Sequence, residues 1–195
     1  MGRPLEARRT RPRDGGPSFP LRSRLARAAF ALAWALLARW TPPQMHGWRR
    51  LLLRAFGARL DATAKVYPTA RIWYPPHLAM AAHACLAPDV DCYCMAQVTL
   101  GPYALVSQGA HLCAGSHDID DPDFQLIARP ITIGAEAWIA AGAFVGPGVV
   151  VGEGAVLGAN AVTVKDLEPW HVYAGNPARY IRMRMRQDGR GEAPE

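Results

Sequence analysis

Residues 131–166 read ITIGAEAWIAAGAFVGPGVVVGEGAVLGANAVTVKD. Every sixth residue from Ile133 gives Ile133, Ile139, Val145, Val151, Leu157 and Thr163. The residue after each is small (Gly134, Ala140, Gly146, Gly152, Gly158) until Val164 ends the run. A second column, Ala137, Ala143, Val149, Ala155 and Ala161, is small or aliphatic. A third, Gly142, Gly148, Gly154 and Asn160, holds residues that tolerate positive φ. Neither a helix nor an isolated strand repeats at six. Each unit therefore offers one large inward residue, one small inward residue and one turn residue, which is a short strand followed by a corner. Such hexads are the signature of a parallel β-helix. Three of them close one triangular coil, so Ile133 is predicted to stack on Val151, Ile139 on Leu157 and Val145 on Thr163.

Energetics favour an array. Burying one aliphatic side chain contributes about 1.5–3 kcal/mol. Ordering six residues costs about 1–2 kcal/mol each in backbone entropy. A single hexad cannot stand, but stacked hexads share buried faces and can. Upstream, Leu60, Val66, Ile72 and Leu78 keep the period; after a slip, Met80, Leu86 and Cys92 resume it, followed by Leu100, Val106 and Leu112. Residues 118–130, DIDDPDFQLIARP, carry no repeat and are predicted to be a loop pushed out of the prism, where function concentrates.

The net charge of +6 is unevenly distributed. Residues 1–59 carry 13 Arg against Glu6 and Asp14, whereas residues 60–178 hold 4 basic and 11 acidic residues. The basic character lies in the tails, which fits an anionic membrane surface better than nucleic acid, for which no motif is present. Residues 1–20 are Arg-, Gly- and Pro-rich and are predicted to be a disordered basic tail. Residues 21–59 are predicted to be helical. The uncharged run between Arg27 and Arg39 spans about 16 Å as a helix, too short for a bilayer core of roughly 30 Å. It reads as a membrane-surface or subunit-packing helix. Thr41 and Pro42 look like the cap and first position of a second helix. Its Met45, Trp48, Leu51, Leu52 and Phe56 share one face, with Arg49, Arg50 and Arg54 largely off it.

Cys85, Cys92, Cys94 and Cys113 all lie inside the repeats. They read as reduced core residues of a cytosolic protein rather than metal ligands. His77 and His83, and likewise His111 and His117, are six apart. That spacing puts each pair on adjacent faces of the prism, which does not suit zinc.

CAGSHD at 113–118, the excursion, the hexads and KD…PWHVYAGNPAR at 165–179 resemble the left-handed β-helix O-acetyltransferases of maltose, galactoside and nodulation type. HGWRRLLLRAFGA at 46–58 and RIWYP at 71–75 are most similar to those of colanic-acid and other exopolysaccharide gene clusters. The resemblance covers about residues 17–186. It implies a left-handed coil over 60–166, then a hairpin or short helix and a tail over 167–195. It implies a homotrimer with sites between subunits, acetyl-CoA as donor, no metal, and a saccharide or lipid-linked glycan acceptor at the inner face of the membrane. By the same resemblance His117 is the general base. Ala141, Ala159, Val164, Lys165, Arg179 and Arg182 meet the cofactor, and Tyr93, Cys94, Asp118 and Trp138 the acceptor side. Arg182, Arg184 and Arg186 read equally as cofactor contacts or as a charged tail. Relatives commonly carry Asn where Cys94 stands, which leaves the acceptor open. A non-catalytic scaffold and a zinc enzyme of carbonic-anhydrase type are the competing readings; acetyl-CoA turnover and metal content separate them.

Overall fold

In the computed structural model, which describes residue 9 and residues 15–185, the chain is a left-handed parallel β-helix preceded by two helices. The disordered tail expected over residues 1–20 falls mostly outside the described residues, as does Arg186. Three sheets form the prism. Face one stacks strands Arg59–Leu60, Leu78–Met80, Val98–Leu100, Ile131–Ile133 and Val150–Val151. Face two begins at Lys65–Val66 and runs through Trp138–Ile139 and Val156–Leu157 to a C-terminal hairpin, His171–Ala174 with Arg179–Met183. Face three stacks Arg71–Ile72, Asp91–Tyr93, His111–Cys113, Phe144–Val145 and Val162–Thr163.

The predicted stacking is found. Ile133 pairs with Val151, Ile139 with Leu157 and Val145 with Thr163. These six side chains are buried, and so is the small-residue column from Ala137 to Ala161. Gly142, Gly148, Gly154 and Asn160 all have positive φ. Glu136, one hexad earlier, also does, at 56°. Gly134 is small for a different reason: a Cβ there would sit 2.7 Å from the backbone nitrogen of Glu153 in the next coil.

The phase slip has a physical cause. In the early coils Leu60 pairs with Met80, and Met80 with Leu100, twenty residues apart. The extra residues lie at one corner, between faces three and one. The first coil makes a 3₁₀ turn there, Pro75–His77, and the second passes through Cys94–Gln97. In the third coil the excursion opens at the same corner, and it is a hairpin rather than a plain loop. Gly115–His117 pairs antiparallel with Leu126–Ala128.

Helices α1 (Leu21–Leu37) and α2 (His46–Ala55) close the first coil. Phe30, Trp34 and Ala38 of this segment are buried. The second helix starts later than its predicted cap. Thr41 does not cap it; its hydroxyl donates to the Ala38 carbonyl and accepts from Arg49. The buried face is also different from the one expected. Arg49 is fully buried with Leu52 and Leu53, while Met45, Trp48 and Leu51 are exposed.

The ladder direction explains why arginines face inward. Amides of the first coil donate to carbonyls of the second, as Lys65 does to Ala84 and Arg71 to Val90. The carbonyls of Leu60, Ala64 and Val66 have no preceding coil to donate to them, and buried carbonyls need partners. The arginines of α2 supply them. Arg49 Nε donates to Val66, Arg50 Nη1 to Ala64 and Arg54 Nε to Leu60, at 2.7, 2.8 and 3.0 Å. Trp34 Nε1 does the same for Pro68 at 3.2 Å. Arg49 also bonds the carbonyls of Pro42 and Pro43. Burial lowers the pKa of Arg49, and burial first, with nearby cations, lowers that of His46.

Candidate active site

The hairpin that carries His117 is seated on the corner of the coil before it. Gly115 makes this possible, because a Cβ there would fall 2.4 Å from Met95 Sδ and 3.2 Å from Tyr93 Cε1. The Ala114 amide donates to the Tyr93 carbonyl at 3.1 Å. Tyr93 is thus brought beside the hairpin, half-buried, and burial pushes its hydroxyl pKa up.

His117 is exposed. Its Nδ1 lies 2.8 Å from the carbonyl oxygen of Phe124 on the returning arm. A carbonyl can only accept, so in the neutral ring Nδ1 carries the proton and Nε2 keeps its lone pair. Phe124 holds that carbonyl in place through a left-handed conformation, φ 48°. Asp118 does not serve as the partner: its carboxylate accepts from the Asp120 amide, and its own amide donates to the Gln125 carbonyl. Backbone carbonyls leave no mark in a sequence, so Phe124 could be found only from the fold.

Cys94 is a correction. Its side chain is fully buried and its sulfur lies 3.3 Å from both the amide and the carbonyl of Tyr74. It fills a corner and is closed off from solvent, so it is not placed to touch a substrate. Cys92 is equally buried, and its hydrogen bond to Cys94, followed by burial, pushes its thiol well up. All four cysteines are free thiols.

Trp138 stands on face two, 44 % exposed, with its indole N–H donating to Ser107 Oγ at 2.8 Å. In a triangular prism face two lies opposite the corner that bears His117. One chain therefore keeps Trp138 and His117 apart. Arg179 and Arg182 lie exposed on the strand that extends face two. Ala141 and Ala159 lie at the corner between faces two and three, tied by the Asn160 amide donating to the Ala141 carbonyl at 2.9 Å. Val164 and Lys165 are exposed just past face three, where Thr163 Oγ1 donates to the Lys165 carbonyl at 2.7 Å. Arg184 is no loose tail residue; its Nη1 donates to the carbonyls of Glu136 and Gly154, pinning the C-terminal hairpin to the coils.

The histidines weighed for zinc are engaged elsewhere. His77 lies 3.2 Å from the Cys94 carbonyl, His83 stacks on Tyr103, and His111 meets the edge of Phe144. Among the described residues no three His, Cys, Asp or Glu side chains gather to hold a metal. A pocket of about 410 Å³, not anticipated from the sequence, opens between α1 and the first coil. It is lined by Phe30, Trp34 and Trp73 with Arg27, Arg39 and Arg71. Trp73 contacts Tyr93 at 5.5 Å between ring centroids, which links this pocket to the hairpin.

Comparison with known proteins agrees with this architecture. Residues 130–165 match the family described as bacterial transferase hexapeptide (six repeats). Over 157 residues the chain is 38% identical to an Escherichia coli K12 protein provisionally named colanic acid biosynthesis acetyltransferase WcaF, covering 79% of this chain and 86% of that one. The chain belongs to the hexapeptide-repeat acetyltransferases. The fold of this acetyltransferase family member is shared by a maltose O-acetyltransferase from Clostridium difficile, at 22% identity and TM-score 0.74, covering 86% of this chain and 90% of that one. A hexapeptide-repeat acetyltransferase from Vibrio cholerae, solved in complex with acetyl coenzyme A, has the same identity and TM-score, covering 88% and 93%.

Proposed function

We propose that this chain is an acetyl-CoA-dependent O-acetyltransferase in which His117 removes the proton from a saccharide hydroxyl as that oxygen attacks the acetyl group directly. The observation that carries the reading is the Nδ1–H donation from His117 to Phe124, which leaves Nε2 exposed and able to accept. A neutral imidazole held in this tautomer can accept the hydroxyl proton at Nε2. Such general-base assistance contributes about 10²–10⁴-fold.

Acetyl-CoA, when bound, supplies an activated thioester. His117 Nε2 takes the hydroxyl proton while the sugar oxygen bonds to the acetyl carbon. The carbon–sulfur bond then breaks, and Nε2 returns the proton to the departing sulfur. Nothing is oxidised or reduced, and no acyl-enzyme is required. The residues suit the donor. Lys165, Arg179 and Arg182 are exposed cations for its phosphates. Ala141 and Ala159 are small residues at one corner, over which its long arm can lie.

The separation of Trp138 from His117 within one chain supports a homotrimer, in which face two of one copy lies against the hairpin corner of its neighbour. The acceptor is an exopolysaccharide unit or a lipid-linked glycan intermediate, with Tyr93 and Asp118 on its side. The enzyme works in the cytoplasm, and a lipid-linked acceptor brings it to the inner face of the membrane, with the basic N-terminal helices in contact. The test is coenzyme A release with purified protein, acetyl-CoA and a panel of sugars and glycan intermediates. One acceptor should gain a single acetyl group by mass; release of coenzyme A by none of them would sink the proposal.

A further inference from the structure

Helix α1 has two apolar sides. One packs on the coil through Phe30, Trp34 and Ala38. The other has no partner among the described residues: Leu21, Leu25, Leu32 and Leu36 recur at spacings of four, seven and four, and each is 59–65 % exposed. Such spacing places them in one stripe, which runs about 22 Å along the helix. The stripe continues onto the junction with α2. Trp40 is 72 % exposed, and Trp48 and Leu51 of α2 are exposed as well. Both indoles spend their N–H inward, Trp40 on the Leu36 carbonyl and Trp48 on the Leu37 carbonyl, each at 2.6 Å. What the rings present outward is therefore apolar. Isolated exposed leucines need no explanation, but a continuous patch of this size does.

Charge identifies what covers it. From Gly15 to Leu60 the chain contains eight arginines and no Asp or Glu. Arg22, Arg24 and Arg39 are exposed on α1 and the residues after it. Two copies of this helix packed against each other would set like charges side by side. Among the described residues no helix is long and apolar enough to cross a membrane. An apolar stripe whose charged neighbours on the helix are arginines, with tryptophans at one end, fits the boundary between the acyl chains and phosphates of an anionic bilayer.

We infer that α1 and the start of α2 lie flat on an anionic membrane, with the Leu21–Leu25–Leu32–Leu36 stripe and Trp40 in the acyl boundary and Arg22, Arg24 and Arg39 at the phosphates. The inference deepens the membrane contact named in the proposed function and rests on it. It also gives the pocket between α1 and the first coil a place: Arg39 lines that pocket and borders the stripe, so the pocket opens close to the lipid surface.

The test uses the full chain and sedimentation with two kinds of vesicle, phosphatidylcholine alone and phosphatidylcholine mixed with phosphatidylglycerol. The chain should pellet with the anionic vesicles, weakly or not at all with the neutral ones, and less as salt is raised. A Leu32→Ser/Leu36→Ser variant should lose at least about tenfold in vesicle affinity while keeping its unfolding midpoint, because both side chains are exposed. Wild-type protein that stays in the supernatant overturns the inference. So does a variant that pellets like wild type, or one whose subunit number falls in sedimentation velocity, since the stripe would then be covered by another copy. Coenzyme A release on a soluble sugar, measured without vesicles, keeps the outcomes separate: it reads the proposed chemistry and should be unchanged in the variant.

Discussion

Nδ1 of His117 and the carbonyl oxygen of Phe124 are 2.8 Å apart, closing a hairpin whose two arms pair antiparallel. This contact fixes which ring nitrogen is free, and it depends on backbone conformation at one residue. Phe124 has φ 48°. Proline cannot take that angle, since its ring locks φ near about −65°. Phe124→Pro should turn the carbonyl away and lower kcat at least about tenfold, with the fold intact by circular dichroism. Phe124→Gly, free to keep the angle, should retain most of the rate. Equal activity of the two variants would remove this carbonyl from the mechanism.

Lys165 provides a separate test of the proposed donor contacts. It is exposed, so solvent screening limits its contribution to about 1 kcal/mol. Lys165→Ala should raise KM for acetyl-CoA roughly threefold to tenfold with kcat nearly unchanged. A KM that does not move would place the cofactor phosphates elsewhere.

Gly134 tests the coil itself. A Cβ there meets backbone of the next coil at 2.7 Å, and backbone cannot swing aside. Gly134→Ala should cost on the order of 3 kcal/mol, a fall in Tm of about 6–12 °C for a chain of this size. Gly109→Ala is the control. Its φ is 67° but the space around it is open, so only the backbone cost of about 1–2 kcal/mol applies.

Arg49→Ala should destabilise by roughly 3 kcal/mol, because it empties a fully buried site and removes the guanidinium bonds to Val66, Pro42 and Pro43. Leu51→Ser on the same helix, 60 % exposed, should fall within about 0.5 kcal/mol. Thermal unfolding of the two variants ranks them; the reverse order would contradict the capping role of α2.

Much of this architecture can be read from residue spacing. A period of six dictates the coil, and the stacking of Ile133 on Val151 follows from three hexads per turn. The corner column is visible because positive φ selects Gly and Asn. The buried arginines are not visible in the same way. A charged residue off a helix's apolar stripe reads as solvated, and only the direction of the amide ladder reveals that the first coil needs donors from outside. The same stripe misleads twice, since Met45, Trp48 and Leu51 are the exposed ones. The excursion reads as a loop because Asp and Pro suppress any strand pattern; its hairpin pairing is fixed by docking on Met95 and Tyr93. Cys94 appears beside Tyr93 in sequence, yet alternation sends one side chain out and the other in. His117 is legible as a candidate base, whereas the group that orients it is not.

The most direct measurement is the steady-state rate of acetyl transfer by His117→Ala beside the wild-type chain, together with acetyl-CoA binding and the unfolding midpoint of both. Because His117 is exposed on the hairpin, binding and midpoint should stay unchanged while kcat falls at least about 100-fold. A variant that transfers acetyl groups at the wild-type rate would contradict the assignment of this imidazole as the base.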